Sequence, residues 1–186
     1  MTSARPLRAD AARNRRLLLD AAREAFVRSG VTASLDDVAR AAGVGPGTLY
    51  RHFPTRDALV LAVIDEGLID LHRLGTALLD AANPLDALRE WLAAYITQGS
   101  MFDGLARTLA AAPSDASSTC LLARDAGAEL VSRAAAAGAV RADVEIGDVL
   151  DMASAIAWVG EHPGRDEAQR ARLLQIVFDG IRTPTR

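Results

Sequence analysis

Thr48, Tyr50, Arg51 and His52 fall on one face of a short segment whose opposite positions, Leu49 and Phe53, are apolar and four residues apart. That face offers hydroxyls, a guanidinium and an imidazole, and it holds no carboxylate. Such groups donate hydrogen bonds to phosphate oxygens and to the acceptor-rich edges of bases in the DNA major groove. Other chemistry is poorly served. The single cysteine, Cys120, lies about forty or more residues from His72 and His162, with no signature of an activated nucleophile around it. A lone helical cysteine is ordinarily a small apolar core residue. One cysteine also excludes an internal disulfide or a cysteine-rich zinc site, and the Glu-x-x-His pairs of bundle metal sites do not occur. Glycine motifs for mononucleotides or dinucleotides are missing too. No enzyme activity, metal or cofactor is expected.

The polar face needs a frame, and residues 34–53, SLDDVARAAGVGPGTLYRHF, supply one. Ser34 suits a helix N-cap, with Asp37 placed to complete a capping box. Leu35, Val38, Ala39 and Ala42 recur at helical spacing and form an apolar side. Gly43 comes where the chain must turn sharply, Val44 fills the corner, and Pro46 can open a second helix because a first-turn residue needs no amide donor. Two short helices and a tight turn make a helix-turn-helix, and an ordinary helical hairpin with a wet polar side is the plainer alternative. Charge favours the former. Residues 1–60 carry ten Arg and six acids, net +4, whereas the remaining 126 residues carry eleven Arg and eighteen acids, net −7. A basic head on an acidic body fits a DNA reader better than a nonspecific architectural binder.

The segment resembles the DNA-binding domain of the TetR family of bacterial transcriptional regulators, over roughly residues 12–66. RRLLLDAAREAF (15–26) is similar to that family's first helix, Ser34 to Ala42 to its second, GTLYRHF (47–53) to its recognition helix, and PTRDALVLAV (54–63) to the start of its long fourth helix. Two positions depart from the pattern. Gly45 stands where a hydroxyl cap is frequent, and Arg56 where lysine is frequent. The resemblance implies contacts to DNA from Ser34, Gly47, Thr48, Tyr50, Arg51, His52 and Arg56, with Thr48 and Arg51 reading bases and Ser34, Tyr50, His52 and Arg56 holding phosphates.

The expected fold is all-α: a three-helix helix-turn-helix domain over residues 10–68, then a helical bundle over 69–182 for effector binding and dimerisation. The chain is half apolar, rich in Ala and Leu and only 4% aromatic, which suits helices. Met1 to Asp10 reads as a tail carrying Arg5 and Arg8, with phosphates or the minor groove as the alternative role. Helix 1 is expected over 11–29 around Leu18, Ala21, Ala22, Ala25 and Phe26, and helix 4 from Thr55 to about Ala81. Further helices are expected over 84–98, 101–112, 116–138, 146–161 and 165–182. No apolar run approaches the ~20 residues of a membrane helix, and the N-terminus lacks a signal peptide's apolar core, so a cytoplasmic protein without a membrane partner is expected.

Two apolar stripes mark the last segments. Val149, Met152, Ala153, Ile156, Ala157 and Gly160 form one, and Leu173, Leu174, Val177, Phe178 and Ile181 the other. Either stripe can pack within its own domain. The resemblance implies instead a four-helix bundle across a two-fold axis, and a homodimer suits a palindromic double-stranded operator. Trp91, Tyr95, Met101, Phe102, Leu105, Leu109, Cys120, Leu121 and Trp158 supply most of the large side chains of the body. By resemblance they line a cavity for a small apolar or aromatic effector, and as plain residues they suit any helical core. Gln98, Arg107, Arg124 and Asp151 are the polar candidates beside them. The function expected is a ligand-responsive repressor, with a DNA-binding protein lacking such a switch, or a small helical-bundle enzyme, as alternatives.

Overall fold

Residues 4–100, 118–160, 162, 164 and 166–183 are described in a computed structural model of the chain. Eight helices form there: α1 (Ala4–Ser29), α2 (Leu35–Ala41), α3 (Pro46–His52), α4 (Arg56–Leu78), α5 (Pro84–Ser100), α6 (Ser118–Ala136), α7 (Ile146–Gly160) and α8 (Glu167–Ile181). Two compact units result, Met1–Glu66 and Gly67–Arg186, with α4 beginning in the first and ending in the second. The all-α expectation holds. Helix α1 corrects the expected tail, since it starts at Ala4. Residues 4–12 are mainly Ala, Leu and Arg, strong helix formers, and Pro6 sits in the first turn, where no amide partner is needed. The expected 101–112 helix lies outside the described residues.

The core of the first unit holds Phe26, 1% exposed, and Leu18, Ala22, Val38, Ala39, Leu49 and Phe53 are buried as well. Ser34 caps α2 by accepting from the Asp37 amide at 3.4 Å. The capping box is only half formed, because the short Asp37 carboxylate pairs with Arg40 at 2.5 Å. The turn after α2 is a Schellman closure. Gly43 adopts φ +69, its N–H donates to the Arg40 carbonyl at 3.1 Å, and the Val44 N–H reaches the Ala39 carbonyl at 3.0 Å. A Cβ at Gly43 would meet nothing within 4 Å, so Gly43→Ala is opposed by backbone conformation alone. That substitution is expected to cost about 1–2 kcal/mol in urea unfolding, and an unchanged midpoint would contradict the positive φ.

The second unit is built around Trp91, which is 0% exposed. Its indole Nε1 donates to the Leu71 carbonyl at 2.9 Å. Glycines make room for it on two sides. A Cβ at Gly75 of α4 would stand 3.1 Å from Nε1, and one at Gly127 of α6 would stand 2.4 Å from Cη2. One helical turn nearer the start of α4, Gln98 Nε2 donates to the Gly67 carbonyl at 2.9 Å. Arg133 of α6 donates to the Leu78 and Ala81 carbonyls at the end of α4. Gly138, φ +69, ends α6 with a second Schellman closure. The following turn is pinned to the end of α8 by Arg141, whose Nη1 donates to the Gly180 carbonyl at 2.7 Å. Among the described residues, no helix is long and apolar enough to cross a membrane.

Candidate nucleic-acid interface

Three local features aim α3. Its start has no side-chain cap, because Gly45 occupies the N-cap, and Pro46 begins the helix. Leu49 and Phe53, 1% and 3% exposed, hold its inner side. The Phe53 N–H closes the end on the Leu49 carbonyl at 2.8 Å. Gly47, Tyr50 and Arg51 are consequently exposed, and Thr48 and His52 are half-buried at the edges of the face. Ser34, at the start of α2, is exposed as well. Six of the seven residues expected to meet DNA therefore lie on the outer side of the helix-turn-helix. Its described surface presents hydroxyl, guanidinium and imidazole groups from α3 without an acid.

Arg56 is placed differently from the expectation. It is half-buried, and its Nη1 donates at 2.6 Å to the Ala33 carbonyl, just before α2. This bond ties the first turn of α4 to the entry of α2. Arg15 was legible in the sequence only as part of α1. Its Cζ stands 5.5 Å from the Phe53 ring centre, and His52 flanks the same ring at 6.2 Å. The signal that could have found it is its register: Arg15 precedes the buried Leu18 by one turn, on the side where α1 meets the end of α3.

In the second unit the expected effector residues separate. Trp91 is sealed in the core, and Tyr95, half-buried, stacks against it with ring centres 6.0 Å apart. Tyr95 Oη lies 3.1 Å from Ser154 Oγ. Burial pushes the phenol pKa up, against the opposing pull of the Ser154 bond, so Tyr95 stays a neutral hydrogen-bonding group. Cys120 is half-buried nearby and, with Asp151, adds to the upward shift. Trp158 corrects the expectation. It is 46% exposed, and its ring packs edge-on against His162 at 4.4 Å. Met101, Phe102 and Leu105, with Leu109 and Arg107, lie outside the described residues. Leu121 is 50% exposed, Arg124 and Asp151 are exposed, and Gln98 is committed to Gly67.

The expected dimer stripes also need correction. Val149, Ala153, Ile156 and Ala157 are at most 4% exposed, and Leu174 and Phe178 are 7% and 0% exposed, all within a single chain. Phe178 is further covered by Arg89, whose Cζ lies 4.2 Å from its ring centre. Periodicity finds the most apolar stripe of a helix, and that stripe packs against its own domain. Of the expected set, Met152 is 51% exposed, while Gly160, Val177 and Ile181 are half-buried. A second, outward stripe joins them: Met152, Ala155 and Val159 on α7, and Leu173, Ile176 and Gly180 on α8, with Ile176 65% exposed.

Residues 18–63 match a family profile described as bacterial regulatory proteins, tetR family. Residues 83–183 match a second, described as transcriptional regulator SbtR-like, C-terminal domain. A solved TetR transcriptional regulator from Streptomyces coelicolor is 35% identical, with a TM-score of 0.73 over 92% of this chain and 99% of that one. A TetR regulatory protein from Mycobacterium vanbaalenii is 33% identical, with a TM-score of 0.66 over 95% of this chain and 99% of its own. The regulator LfrR from Mycobacterium smegmatis, solved in complex with proflavine, shares the fold at 22% identity and a TM-score of 0.64, over 91% of this chain and 94% of that one. Among curated proteins, the regulator UidR of Escherichia coli is 37% identical over 59 residues, 31% of this chain and 30% of its own length. The repressor LfrR of Mycolicibacterium smegmatis is 39% identical over 72 residues, 39% of this chain and 35% of its own. The chain thus matches about a third of these curated relatives.

Proposed function

Because the chain belongs to the TetR family of bacterial transcriptional regulators, we propose that it is a ligand-responsive repressor that binds a palindromic operator as a homodimer. The observation that carries the DNA part is the acid-free outer face of α3, held outward by the buried Leu49 and Phe53. Thr48 and Arg51 read bases there, and Ser34, Gly47, Tyr50 and His52 lie where phosphates pass. Arg56 supports the interface by tying the first turn of α4 to Ala33. Arg51→Ala is expected to lower affinity for DNA upstream of the protein's own gene by about 1–3 kcal/mol, and to relax preference at one base position in each half-site. Equal affinity and preference in parent and variant would remove α3 from the reading role.

Dimerisation is proposed through the outward stripe of α7 and α8, where the apolar Met152 and Ile176 are 51% and 65% exposed. For the switch, Tyr95, Ser154 and Cys120 form a half-buried polar edge beside Trp91 that suits a small aromatic or apolar effector with one polar group. LfrR, which shares this fold, is solved in complex with proflavine. Helix α4 carries the signal, since it runs from the unit that holds α3 into the unit that holds Trp91. An effector releases DNA only by binding the non-binding arrangement more tightly, since equal affinity for both shifts nothing.

A further inference from the structure

The match to the DNA-binding profile starts at residue 18, and the half-helix before it is assigned to nothing. Residues 4–16 hold Arg5, Arg8, Arg13, Arg15 and Arg16 against Asp10 alone, net +4. Residues 17–60 hold five Arg and five acids, net zero. The whole positive excess of residues 1–60 therefore sits in a stretch outside the helix-turn-helix. Because this stretch is helical from Ala4, its residues can be placed by register. At 3.6 residues per turn, positions 5, 8, 12 and 15 fall within about 80° of arc, with 16 and 9 following on one side of them and Asp10 opposite. The strip thus carries four arginines, with small alanines at 9 and 12 that let another surface approach closely. Arg13, Arg15 and Arg16 are exposed. Arg15 meets the Phe53 ring at 5.5 Å, at the end of α3, where Arg51 is exposed. The strip thus runs into the face that reads DNA.

We propose that the first half of α1 is a second DNA-binding element, an arginine track on the duplex backbone next to the bases that α3 reads. It rests on the proposed DNA-binding function and adds affinity without sequence preference, because phosphates carry no base identity. The test uses the full chain and the duplex it enriches from a random library. In the triple variant Arg5→Gln, Arg8→Gln, Arg15→Gln, glutamine keeps helix propensity and removes charge. Each phosphate contact contributes ~0.9 to the slope of log affinity against log salt. Three arginines in each of two chains should therefore make the slope shallower by up to about 5. Affinity at physiological salt should fall at least ~10-fold, with the enriched sequence unchanged. The matching triple Arg→Lys variant keeps the charge and should keep the slope. A slope within about 1 of the parent's would overturn the proposal, as would a changed base preference. Loss of binding to anionic lipid vesicles with the duplex slope intact would assign the strip to a membrane surface instead. A parent chain that binds no duplex at all would bring down the DNA-binding function and this element together.

Discussion

Ile176→Glu is expected to leave the chain folded, convert the dimer to monomer at micromolar concentration and abolish tight operator binding. Ile176 is 65% exposed on α8, so a carboxylate there stays hydrated in the single chain. In the proposed dimer the same position faces its counterpart stripe. A charge buried there without a partner is strongly destabilising, by about 3–5 kcal/mol per site. Sedimentation should show the monomer while circular dichroism shows an undiminished helix content. Operator affinity falls with it, because one head holds only half of a palindrome. Substitutions on the inner stripe do not make this distinction. Phe178→Glu or Ala157→Arg would bury a charge at positions 0% and 1% exposed within one chain and would unfold it. An Ile176→Glu protein that sediments as a dimer with parental affinity would remove the outward stripe from the interface.

Trp91→Ala should have the largest effect on stability, a loss of about 3–5 kcal/mol in urea unfolding. The indole fills space that Gly75 and Gly127 leave for it, and its Nε1 bond to the Leu71 carbonyl ties α5 to the lower half of α4. Glycines cannot fill the void once the ring is removed, and the helices that carry them are held at both ends. The measurement also separates two roles that the sequence leaves merged. A residue that lines an open effector cavity is worth little to the fold when truncated. A loss below about 1 kcal/mol would therefore move Trp91 from the core to a binding site.

How much was legible depended on how local the signal was. Gly43 and Ser34 close and open a helix through bonds to residues within five positions, and each does so as the sequence suggests. The inner and outer sides of α3 follow from a spacing of four between Leu49 and Phe53. Asp37 and Arg56 were harder, because each has competing partners and only packing selects one. Arg56 turns to a carbonyl 23 residues away, which no spacing rule reports. Trp158 and Trp91 are the same residue type in similar apolar segments, yet one is 46% exposed and the other 0%. Which side of α7 turns inward is decided by its neighbours, so the outward stripe and the half-buried edge at Tyr95 become visible only in three dimensions.

The central claim is that two copies of this chain read a symmetric DNA sequence through α3. It is tested most directly by enriching duplexes from a random library with the full chain, then determining the stoichiometry and footprint on the enriched duplex. The account predicts an inverted repeat bound by two chains, with half-site centres about 10 base pairs or a multiple of that apart. It also predicts that Arg51→Ala degrades the same position of both halves. Binding without any enriched sequence, or one chain bound to an asymmetric site, would contradict it.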